Sequence, residues 1–143
     1  MKEYQLKKEI YSVEQAIEIL SDPLEDQLFR EQAIRYLSYH PSEKVINKLV
    51  WSLQDDEFGI RWEAAIILAQ LGEKALPVLL KALTDPEKVG DPRLREGAYH
   101  VLHYNRDPSY AINITQLMHA LKGPAADIAS MREAGRILAQ IEK

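Results

Sequence analysis

One phrase recurs along the chain and limits its fold more than any total. An arginine is followed by alanine three residues later and by leucine four after that. The copies are Arg30, Ala33, Leu37; Arg61, Ala64, Leu68; and Arg95, Ala98, Leu102. A fourth copy opens at Arg132 with Gly135 in the small position, but Leu138 falls one residue early and Ala139 takes its place. From arginine to arginine the steps are 31, 34 and 37 residues. Ahead of each arginine lies an apolar stripe at i, i+3, i+4 and i+7. The stripes are Val13, Ala16, Ile17, Leu20; Ile46, Leu49, Val50, Leu53; Leu76, Leu79, Leu80, Leu83; and Ile114, Leu117, Met118, Leu121. That spacing puts four side chains on one side of a helix. One such match is common; four in register describe a two-helix unit written four times.

A repeat of this length made of two helices marks an α-solenoid. Neither helix can bury its stripe alone, so neighbouring pairs must stack into a shared core. The small residue after each arginine lets the second helices approach one another. The reading is all-α: an α-α superhelix of four helical hairpins in one domain over residues 1–143, with repeats at about 12–40, 41–72, 73–106 and 107–143. Helices are expected at about 12–21, 23–39, 42–54, 57–71, 73–84, 92–104, 108–122 and 125–141. The punctuation agrees. Ser12 with Gln15 forms a capping box, Asp-Pro steps at 22 and 85 suit helix starts, and Gly72 and Asn105 suit helix ends. The stretch "DPEKVGDP", Asp85 to Pro92, reads as a loop.

Composition narrows function by exclusion. The net charge of −4 disfavours a protein that grips phosphate backbones. With no cysteine there is no thiolate ligand or nucleophile. No apolar run reaches the roughly 18 residues that span a bilayer. The polar start "MKEYQLKKEI" lacks the core of a signal peptide, so the expected location is the cytoplasm.

The fullest copy, "LVWSLQDDEFGIRWEAAIILAQLGEKALPVLLKALTD", resembles HEAT-like repeats, particularly the short bacterial and archaeal kind grouped with phycobilin lyase subunits. The matching positions are Leu53, Asp55, Arg61, Ala64, Leu68, Gly72 and Pro77. Weaker copies extend the resemblance over about residues 12–142. It implies a ladder in which turn aspartates Asp22, Asp55 and Asp85 pair with Arg30, Arg61 and Arg95 between neighbouring repeats. Copy four has Gly123 where the aspartate belongs, leaving Arg132 to solvent or to Asp127.

The residues one, five and eight places after each arginine share a helical face. They are Glu31, Arg35, Ser38; Trp62, Ile66, Ala69; Glu96, His100, His103; and Glu133, Ile137, Gln140. In a solenoid the second helices line the concave surface. The expected partner-binding residues are therefore Trp62, Ile66, His100 and His103, with Arg35 and Glu96 for steering and Tyr39 and Tyr104 near the rim. A large aromatic side chain with a polar surround is how interfaces gain most of their energy. Trp51, on a first helix, reads as core or convex-edge packing.

Glu96, His100 and His103 are spaced to share a surface zinc or nickel ion; a polar solvent-facing stripe is the plainer account. HEAT-like hydroxylases bind iron through adjacent His-Glu pairs, and no histidine here precedes a glutamate, so that role does not carry over. No serine-nucleophile elbow and no phosphate-binding glycine loop occurs. Stacking of bases on Trp62, Tyr36, Tyr39 and Tyr104 is opposed by Glu31, Glu96 and Glu133. The expectation is a non-enzymatic adaptor without cofactor, monomeric or weakly dimeric, binding a protein through its concave face. The alternative is a phycobilin-lyase-like subunit holding a tetrapyrrole or its acceptor protein.

Overall fold

The computed structural model describes residues 9–105 and 111–142. Among them are nine helices and no strand: α1 Val13–Ser21, α2 Gln27–Ser38, α3 Glu43–Trp51, α4 Phe58–Leu71, α5 Leu76–Leu83, α6 Pro86–Val89, α7 Pro92–Tyr104, α8 Ala111–Lys122 and α9 Ala126–Ile141. Single 3-10 turns at Ser52–Gln54 and Gly72–Lys74 extend α3 and precede α5.

Local chemistry sets the boundaries. The Ser12 hydroxyl accepts from the Gln15 N–H, while the Gln15 side chain reaches back to the Tyr11 N–H, one residue before the cap. Asp85 and Asp91 cap α6 and α7, each followed by proline at the first helical position. The expected start at Pro23 is corrected. Asp22 spends its carboxylate on the Leu24 N–H in a turn, and Asp26 caps α2 by accepting from Phe29. The expected loop at Asp85–Pro92 contains the short helix α6, anchored by buried Val89. Gly72 ends α4 at φ 56°, a conformation glycine adopts without strain. Asn105 instead leaves α7 in extended backbone.

The helices form two rows. The first helices α1, α3 and α5 stack in sequence, as do the second helices α2, α4 and α7. The segments led by Arg30, Arg61 and Arg95 thus stand as equivalent rungs. Ala33, Ala64 and Ala98 are wholly buried at the rung contacts, and Leu37, Leu68 and Leu102 sit in the shared core. A buried leucine side chain is worth about 1.5–3 kcal/mol relative to exposure, so a continuous row of them holds the stack together.

The last hairpin is seated in reverse. α8 packs against α7, and α9 packs against α5 and α6. The first helix of copy four therefore extends the row of second helices, and its second helix joins the row of first helices. Leu138 lies one residue off the phase of Leu37, Leu68 and Leu102, which on a helix of 3.6 residues per turn is about 100°. Buried Ser130, Ala134 and Ile137 form the stripe that α9 presents instead. A Cβ on Gly135 would lie 3.9 Å from Thr84 Cγ2 at the end of α5. Lys122 at the end of α8 places its Nζ 4.1 Å from the Tyr99 ring centre on α7. Glu133, Ile137 and Gln140 are thus removed from the expected inner wall, and Arg132 is exposed on α9.

The ladder is reduced to one rung of the expected kind. Buried Arg30 bonds Asp55 of the next repeat through Nη2 at 2.5 Å and Nη1 at 3.3 Å, and Nη2 also donates to the Leu20 carbonyl at 2.6 Å. Arg61 meets no carboxylate among the described residues; it donates to the carbonyls of Asp55 and Asp56. Arg95 donates to the Val89 carbonyl at 2.7 Å. Asp22 and Asp85 cap local N–H groups. Helix α6 uses Asp85 as its cap and offers Arg95 a carbonyl, that of Val89. Repeats two and three are instead tied by Arg93, which bridges Asp56 at 2.8 Å and Asp91 at 3.3 Å, with Gln54 donating to Asp91.

Candidate functional site

α4 is the middle rung, flanked by α2 and α7 and backed by α3. That position explains why "FGIRWEAAIILAQL" is apolar nearly all round. Toward its C-terminal end the flank facing α7 carries only small side chains, Ala65 and Ala69. They leave a groove of about 1040 Å³ between the two helices. Trp62, Ile66 and Leu71 wall it from α4, and His100 and Tyr104 wall it from α7. The turn Gly72–Lys74 closes one end with Glu73 and Lys74, and Gln70 and Asn105 add polar groups at the edge.

A row of rings runs beside this groove. Phe58 stacks on Trp62 at 6.2 Å, Trp62 meets His100 edge-on at 5.6 Å, and His100 stacks on Tyr104 at 6.3 Å. The spacing follows from the helix: Phe58 and Trp62 are four apart on α4, as are His100 and Tyr104 on α7. The row is well exposed, Phe58 by 66% and Trp62 by 39%. Arg61 covers the Phe58 ring from 5.6 Å.

The expected site residues divide. Trp62, Ile66 and His100 come together in the groove. Glu96 lies at its other end, in a small recess with Phe58, Arg61 and Arg93. Arg35 is elsewhere: it pairs with Glu63 at 3.7 Å across α2 and α4 and lines a separate hollow with Ile10, Tyr36 and Tyr39. His103 is exposed outside the groove, stacked on Tyr99 at 5.9 Å. Among the described residues no three histidine, aspartate or glutamate side chains are placed to hold a metal ion. Sequence reasoning missed Phe58 and Ala65. The signal for Phe58 was present, since it sits four residues before Trp62.

The rungs, the shared core and the recurring arginine phrase define a helical-repeat protein. A family model for HEAT repeats matches residues 13–103, and the chain belongs to that family. The match ends at the third hairpin, before the reversed one. Comparison with curated proteins and with solved structures returned no match. Among the described residues no helix is long and apolar enough to cross a membrane.

Proposed function

We propose that the chain is a non-enzymatic docking module whose concave wall, α2, α4 and α7, receives a segment of another protein in the α4–α7 groove. HEAT repeats generally mediate protein–protein interaction. What carries the reading here is the row of exposed Phe58, Trp62 and Tyr104 with half-buried His100 beside an apolar trough. Rigid aromatic anchors next to a recess are where binding energy concentrates. Trp62 and Ile66 supply the apolar contact, and His100, Tyr104 and Asn105 supply hydrogen-bonding edges.

The test is selection of peptides on purified wild type, followed by titration against Trp62→Ala and by amide chemical-shift mapping. Selected peptides should lose about 30-fold or more in affinity, the 2 kcal/mol of a hot spot, and shift amides of α4 and α7. Equal binding by wild type and W62A, or shifts confined to other helices, would contradict the reading. A visible absorbance shift on adding a linear tetrapyrrole, abolished by W62A, would replace it with pigment binding.

A further inference from the structure

Trp51 stands on the opposite row of the molecule, near the end of α3, and is 54% exposed. Lys48 covers its ring, with Nζ 3.5 Å from the centre. Beside it opens a recess of about 120 Å³ lined by Trp51, Val50, Val78, Lys81 and Lys88. Among the described residues none of these three lysines has a carboxylate within 4.0 Å. The nearby acids are otherwise engaged: Asp55 by Arg30, and Asp91 by Gln54 and Arg93. Glu87, next to Lys88 in sequence, is exposed.

Lys48, Lys81 and Lys88 fall in the last turns of α3, α5 and α6. A helix end offsets part of such charge, roughly half a negative charge for each full helix. Two full helices and one short turn cannot neutralise three ammonium groups, so a positive surplus remains around an exposed indole. We infer that this face is a second docking surface, for an acidic peptide segment bearing a large apolar side chain. Its carboxylates meet Lys81 and Lys88, and its apolar group lies on Trp51 over Val50 and Val78. Nucleic acid is the weaker match, because few cations gather here on a chain of net charge −4. The inference does not depend on the α4–α7 groove.

The chain has two tryptophans, so W62F leaves Trp51 as the sole indole reporter. Titrating W62F with the peptide EEFEE should give a saturable change in emission. Binding should weaken with added salt and fall at least about tenfold in K81E/K88E, with helix content unchanged. Should the charge-reversed variant unfold, K81Q/K88Q carries the same comparison, with an intermediate loss expected. No saturable change up to about millimolar peptide, undiminished binding by the charge variants, or tighter binding of single-stranded oligothymidylate would overturn the proposal.

Discussion

Arg30, Arg61 and Arg95 occupy equivalent positions, yet their surroundings differ. Arg30 is buried and charge-paired, whereas Arg61 and Arg95 are half-exposed and, among the described residues, donate to carbonyls and pair with no carboxylate. Removing Asp55 strands a buried cation, so D55A should cost about 3–5 kcal/mol of unfolding free energy. R61A and R95A should each cost about 0.5–1.5 kcal/mol. Urea denaturation of the three variants checks the ranking. Lys48 is a second residue-scale case. Burial, with Arg30 nearby, pushes its ammonium down to about 8, against an opposing pull from Asp55. The unfolded chain holds that proton up to about 10.5, the ordinary lysine value. Between the two the unfolded state binds more protons, so Lys48 makes stability rise as pH climbs from about 8 to 10.5. K48M should melt higher than wild type at pH 7 and lack that component of the rise; an identical pH–stability curve would contradict the assignment.

At the scale of elements, the glycines of α7 and α9 make opposite predictions. A Cβ on Gly97 would come within 3.0 Å of the wholly buried Leu53 side chain, which would have to shift within a packed core. Overpacking of this kind costs about 1–3 kcal/mol, against a helix-propensity gain of about 1 kcal/mol for alanine over glycine. G97A should therefore lower the melting temperature. Gly135 meets Thr84 only at ordinary contact distance, so G135A should keep the propensity gain and melt higher. Among the described residues the buried Ser130 hydroxyl has no hydrogen-bond partner, and S130A should add about 1 kcal/mol by removing that burden. Thermal melts followed by circular dichroism decide all three. Most of these elements were legible in the sequence, because burial imposes a period on apolar residues whatever their neighbours. The boundary at residues 23–26 was not. Asp22 and Asp26 are both good caps, and only the packed turn selects between them. The order of helices in the last hairpin was also hidden, because a stripe shows that a face is buried and not which helix covers it.

For the whole molecule the decisive property is which helices share each row. Trp62, Ile66 and His100 were readable as a shared face because α4 and α7 are true repeats of one another. Arg35 and His103 fell outside the groove because helical phase fixes a face but not its depth or its neighbour's salt bridge. The reversal of α8 and α9 extends the row of α2, α4 and α7 with α8, and Ile137 of α9 lies in the core. The chain lacks cysteine, so an engineered pair reports proximity without interference. In T84C/G135C the new side chains should lie within disulfide reach, since a Cβ at 135 sits 3.9 Å from the γ-carbon at 84. Oxidation of the purified double variant should close an intramolecular disulfide, seen as the loss of two hydrogens in the intact mass and a cross-linked peptide joining α5 to α9. If instead both thiols remain free while the protein stays folded, α9 does not lie on α5, and the arrangement of rows described here is the wrong one.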